Sequence, residues 1–366
     1  VAVTPHPEEE RQPTFSESAL NMAYADALTL AGMAALGEPT APSGVTAELL
    51  LSQARALQAP GAEAAANPRA AADSSPAADD APTVPASPPP TPGELVSALA
   101  ASAARRLNDA VLSDGGTARL LAAVGTAQQL EASRLAAAWG LPAPGVPAIS
   151  PPSTATTPAV PVPALPLTGS APEASDDTGR SAAETANCLT GPTAPAAGTG
   201  SDPGLSDMQR APAESPANLA MALSATVRAE QEAVYVYQVA LSRLQPSATG
   251  VAGSHLKAHQ DALRRAEGYS REYCSAIPPR EPGYRLPAAF ASAPSAALGG
   301  LEEDVLAVYG DLIAVAPADA RAWAVSGLLT TARQAAVWSD TRDPLPGIAV
   351  TPEELPQLPT SSSPAS

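Results

Sequence analysis

The run AEQEAVYVYQVAL, residues 229–241, sets a carboxylate inside an apolar helical stripe. Read in both directions, the stripe comprises Leu219, Leu223, Val227, Glu230, Val234, Tyr237, Leu241 and Leu244. Their steps of 4, 4, 3, 4, 3, 4 and 3 form the seam of a helix packed against other helices. Ser215-Pro216 supplies a cap and a first-turn proline. Glu230 lies in the seam, where a carboxylate needs a partner, a proton or a metal.

Three further helical patterns follow. One runs from about 251 to 274, with Leu256, His259, Leu263, Ala266 and Tyr273 on its inner side. His255 and His259 lie four apart and share a face. Pro278-Pro279 ends it, and EPGYRLPAAFASAP, residues 281–294, reads as a long crossover. The next helix covers about 295–315, with Leu298, Leu301, Val305, Val308 and Leu312 inward and Glu302, Glu303 and Asp304 near its start. The last begins at Pro317, turns Trp323, Leu328, Thr331, Ala335 and Trp338 inward, and stops before Pro344.

The runs AEQEAVYVYQVAL, HLKAHQDALRRAEGY (255–269), LEEDVLAVYGDLI (301–313) and TARQAAVW (331–338) resemble an actinobacterial ferritin-like domain family, domain of unknown function 4439. The resemblance covers about residues 215–343. It implies an all-α fold, a ferritin-like four-helix bundle with one long crossover, and brings no established activity.

Ferritin-like di-iron proteins place one Glu on each of two helices and Glu-X-X-His on each of the other two. Glu230 fits the first role, and Glu302 or Glu303 fits the third helix. The second helix has histidines but no Glu-X-X-His, because Ser270 follows Glu267 by three. The fourth offers Thr330 and Arg333, with no carboxylate between Asp319 and Asp340. A two-iron centre is not expected, and no catalytic residue, cofactor or metal is assigned. The favoured reading makes Glu230 a structural carboxylate held by His255, His259, a tyrosine hydroxyl or Arg333. The alternative is a single transition metal at Glu230, His255, His259 and Glu302, with metal-binding or redox work to do.

The region from 14 to 140 reads as two helical hairpins. Helices are expected over about 16–36 and 45–59, from about Pro92 until Asp114-Gly115-Gly116 breaks the pattern, and over 117–139, the last capped by Thr117 and closed by Gly140 and Pro142. The hairpins are split by an Ala/Pro-rich linker at 61–92 and offer a second, degenerate bundle. Their faces are mostly alanine, which buries little area per side chain. Residues 141–214 hold 14 prolines and no apolar period, so they read as a disordered tether. Residues 1–13 and 344–366 read as disordered tails.

The chain has 366 residues, 42 of them proline, and a formal charge of −17. Residues 215–343 carry 11 Arg and Lys against 13 Asp and Glu, a net of −2. The remaining −15 therefore lies elsewhere. That balance repels a phosphate backbone, so no nucleic acid is expected as a partner. No run reaches the ~20 apolar residues of a membrane span. Cys188 and Cys274 read as unrelated thiols, with one bond between them the alternative in an oxidising compartment. The chain starts at Val1. A cell-envelope location follows if a signal or anchor precedes it, a cytoplasmic one otherwise. The reading is a non-enzymatic structural or interaction protein of the cell envelope with an unidentified protein partner. A small-molecule binder between bundle helices is a further alternative. The sequence indicates no oligomeric state.

Overall fold

The computed structural model describes residues 12–36, 41–58, 89–151, 216–350 and 352–358. Among these there are eight α-helices and no strand. They are α1 (Phe15–Leu36), α2 (Ala41–Leu57), α3 (Pro92–Leu112), α4 (Gly115–Ala138), α5 (Pro216–Ala240), α6 (Pro246–Glu272), α7 (Pro294–Val315) and α8 (Ala318–Trp338). Most of the linkers expected at 61–92 and 141–214, residues 1–11 and residues 359–366 lie outside the described residues.

Local chemistry explains the helix ends. Thr91 and Glu94 form a capping box at the start of α3, with Pro92 in its first turn. Asp114 caps α4 by accepting from the Thr117 N–H at 3.1 Å. This corrects the expected Thr117 cap: Asp114 already stands at the capping position, and Thr117 lies three residues inside the helix. Gly140, with φ 65, ends α4, and Leu141 N–H reaches back to the Ala136 carbonyl. The same motif ends α6, but Cys274 fills the left-handed position at φ 53. There Ser275 N–H bonds the Ser270 carbonyl at 2.7 Å. A side chain at that position costs roughly 1–2 kcal/mol. Cys274 is disulfide-bonded, which corrects the reading of unrelated thiols. Cys188, the sequence's other cysteine, lies outside the described residues.

The helices pair as hairpins α1/α2, α3/α4, α5/α6 and α7/α8. Residues 273–293, with a short 3-10 turn at Ala288–Ala291, cross from α6 to α7. Helix α5 packs on α7, whereas α6 and α8 barely touch. The alanines of the N-terminal half permit close approach: a Cβ on Gly125 of α4 would lie 3.0 Å from the Ala103 carbonyl oxygen of α3. Helix α1 is long and apolar enough to cross a membrane by length and composition, a feature the sequence reading missed. Its stripe of Ala19, Ala23, Ala27 and Ala31 is buried in the core.

The two halves are not separate bundles on a tether. One core runs through both, joining Leu107, Leu121 and Val124 to Leu298, Leu312 and Leu328. Polar groups stitch the same face. Arg119 pairs with Asp311 at 2.8 Å and donates to the Gly347 carbonyl at 2.8 Å. Arg321 donates to the Ser113 carbonyl. Residues 141–151, expected as tether, lie along α3 and α4 instead, with Gln129 donating to the Gly145 carbonyl at 3.1 Å. Residues 344–350, expected as tail, lie against the helices. Leu345 is buried, Gln53 donates to the Pro344 carbonyl at 3.1 Å, and Leu355 beyond them is buried too. These segments hold because apolar side chains and paired carbonyls, absent from a solvated tail, anchor them.

A protease site introduced between residues 152 and 215 tests the shared core. After cleavage in reductant, the two fragments should co-elute on size exclusion and melt in one transition. Separate elution under native conditions would contradict the shared core.

Candidate functional site

Helices α5 and α7 each carry a glutamate with a tyrosine seven residues on: Glu230 and Tyr237, Glu302 and Tyr309. Seven residues make about two turns, so each pair shares a face. The two faces meet with the pairs crossed. Tyr309 donates to Glu230 Oε1 at 2.7 Å, and Tyr237 donates to Glu302 Oε1. His259 of α6 lies between the carboxylates. Its Nδ1 is 2.8 Å from Glu230 Oε2, and its Nε2 is 3.2 Å from Glu302 Oε1. Glu230, His259 and Glu302 are 1%, 2% and 0% exposed, so water does not screen them.

Burial alone would strip the proton from His259. Its hydrogen bonds to Glu230 and Glu302, and the charges of both, outweigh that and raise its pKa to about 10. The ring is therefore an imidazolium at neutral pH, and both N–H groups donate. The Tyr309 and Tyr237 phenols are pushed up, first by burial and then by the adjacent carboxylates, so both remain donors. His255 behaves oppositely. Burial lowers its pKa more than Glu302 raises it, and its Nδ1 accepts. Trp338 Nε1 shares its single N–H between Tyr237 OH at 2.8 Å and His255 Nδ1 at 3.1 Å.

The structure thus brings together Glu230, His259 and Glu302 and leaves His255 one layer out, accepting from Trp338 and lying against the Tyr237 hydroxyl. Glu303 and Arg333 are exposed and play no part. Arg333 lies on the outer face of α8, two residues beyond the inward Thr331, so it cannot serve as the partner of Glu230. The sequence reading offered a tyrosine hydroxyl as a partner of Glu230 without singling out Tyr237 and Tyr309. The repeated glutamate-to-tyrosine spacing on two helices was the signal that would have assigned them to the network.

The donor set does not fit a metal as arranged. Both nitrogens of His259 point at carboxylates and carry protons, and both tyrosines donate to the carboxylates. Helix α8 adds no carboxylate. Glu302 Oε2 is the one carboxylate oxygen of the network without a protein partner, too little for a coordination shell. Among the described residues, no group of three or more His, Cys, Asp or Glu side chains is placed to hold a metal ion.

A groove of 290 Å³ opens between α6 and α8 and reaches Glu230, His259 and Tyr309. Gly327 on its wall leaves room for Tyr309, since a Cβ there would sit 2.3 Å from the Tyr309 ring. A larger cavity of 380 Å³ lies away from the carboxylates, among Leu130, Leu306, Ala335 and Leu345.

Residues 222–350 match the family model for a domain of unknown function, DUF4439. This segment is similar to that family. The match takes in every member of the network and the segment that closes over α4. No curated protein and no solved structure matches the chain.

The network ties the stability of this bundle to pH. The pKa of His259 is higher in the folded chain than its ordinary 6.5. The linked stability is therefore complete below that value and is lost as pH rises through about 10. His255, shifted down, acts in the opposite sense and only toward acid. Thermal melts should show Tm falling between neutral pH and pH 10. His259→Gln should lower Tm at neutral pH and flatten that slope, whereas an unchanged slope would remove His259 as its source.

Proposed function

We propose that the chain is a non-enzymatic, metal-independent structural or interaction protein of the cell envelope. The observation that carries this reading is His259. Its imidazolium stands between two carboxylates, where a metal bound to both would place positive charge. Removing one partner of a buried ion pair costs about 3–5 kcal/mol, and this one links α5, α6 and α7. The disulfide at Cys274 supports an oxidising compartment, since such bonds persist outside the cytosol. The shared core supports a single rigid body that presents a surface, in place of two modules moving on a tether.

The test is elemental analysis and thermal melting of the full chain, purified from cells quenched with a thiol-alkylating reagent. We expect less than about 0.1 transition metal per chain, a Tm indifferent to chelator, and no label on Cys274. A stoichiometric metal with a chelator-sensitive Tm would overturn the metal-free reading. A labelled Cys274 would overturn the compartment.

A further inference from the structure

The cavity among Leu130, Leu306, Ala335 and Leu345 is built by both halves of the chain. Helices α2 and α4 supply Ser52, Leu130 and Arg134, and α7, α8 and the segment 339–355 supply the rest. That segment is braced along the wall it forms. Gln53 donates to the Pro344 carbonyl at 3.1 Å, and Arg119 donates to the Gly347 carbonyl at 2.8 Å. Within the turn, the Leu345 N–H bonds the Asp343 carboxylate at 2.8 Å, and the Ile348 N–H bonds the Leu345 carbonyl at 3.0 Å. Gly347 makes the turn at φ 82, where a Cβ would meet the Leu306 carbonyl oxygen at 2.7 Å. The wall is therefore set before any ligand arrives, which lowers the ordering cost of binding.

We propose that this cavity binds an uncharged, largely hydrocarbon small molecule. The charge of the lining selects a neutral ligand: Arg134 and Arg342 stand against Glu303 and Asp343, two of each sign. Its polar side chains are already engaged. Arg134 donates to the Thr341 carbonyl at 2.9 Å, Arg342 to Glu131 at 3.3 Å and Ser52 to the Glu48 carbonyl at 3.0 Å, while Ser339 bonds Thr341. Glu303 is exposed to water. Among the described residues, no side chain of the lining buries an unpartnered polar atom. An ion entering here would give up hydration without a matching charge in return. The rest of the lining is apolar, with Leu130, Leu306, Ala332, Ala335, Leu345 and Leu355 foremost. Water against those side chains lacks the polar partners that hold it, whereas a hydrocarbon body gains by leaving solvent. The 380 Å³ lies toward the lower end of small-molecule sites and suits a ligand of about two rings. Because both halves line the cavity, a bound ligand stabilises their joined arrangement.

The experiment titrates the full chain with N-phenyl-1-naphthylamine, a neutral dye that brightens in apolar surroundings, and then competes the dye off. The competitors share one naphthalene body: 1-naphthalenemethanol is neutral, 1-naphthoate anionic and 1-naphthylmethylammonium cationic. The dye should bind one-to-one with a Kd of about 10 µM or tighter and raise Tm. The alcohol should displace it at a concentration about tenfold or more below that of either ion. Ala335→Phe, which fills the space, should weaken dye binding about tenfold or more. Val350→Asp should weaken it about fivefold or more by placing a charge in the lining. Val350 is 40% exposed, so that variant keeps the fold and decides the matter where Ala335→Phe does not fold. Three outcomes would overturn the proposal. One is no saturation by about 30 µM, as for a cavity that holds only water. Another is either ion displacing the dye as readily as the alcohol. The third is a folded variant of either kind that binds the dye undiminished.

Discussion

Two carboxylates lie in the dry centre of the C-terminal bundle, and much of the surrounding architecture follows from keeping them there. Ionised and unpaired, they would repel each other and forfeit hydration worth several kcal/mol each. One imidazolium between them removes most of that cost, and two tyrosine hydroxyls add directed donors. The crossed pairing of Tyr309 with Glu230 and Tyr237 with Glu302 also fixes the register of α5 against α7. A slip by one residue would carry each tyrosine about 100° around its helix and away from its acceptor.

The demands on the other helices follow. Helix α6 must come close enough for one histidine to touch both carboxylates. Helix α8 contributes no charge, but its Gly327 leaves room for the Tyr309 ring, and its Trp338 finishes the layer around Tyr237 and His255. With α6 held by its histidine and α8 set back, the space between them stays open as a groove. The outer faces of α7 and α8 are closed by α3 and α4, whose small side chains permit tight contact. The segment 344–350 is pinned in the same seam by Arg119 and Gln53.

The last four helices were legible from spacing alone, because each carries a mostly apolar stripe at helical spacing over about four turns or more. Glu230 and His259 were legible as partners for a related reason. A charge in an apolar stripe demands a neighbour, and the second helix offered two histidines. The choice between His255 and His259, and the exclusion of Arg333, depended on helix rotation, which sequence spacing does not resolve. The joining of the two halves was not legible. Alanine faces carry almost no periodic signal, and the docking contacts link residues such as Arg119 and Gly347 that lie far apart in the chain. Leu345 and Leu355 stand in proline-bearing stretches whose composition resembles a tail, so their burial comes from tertiary contacts.

The central claim is that His259 is a buried imidazolium bridging Glu230 and Glu302. The most direct measurement is the nitrogen NMR spectrum of the full chain with labelled histidine at about pH 8, above the ordinary imidazole pKa of ~6.5. The account predicts that both ring nitrogens of His259 are protonated, with slowly exchanging N–H protons, while His255 is neutral. A neutral His259 ring under those conditions, with one nitrogen carrying a lone pair, would contradict it.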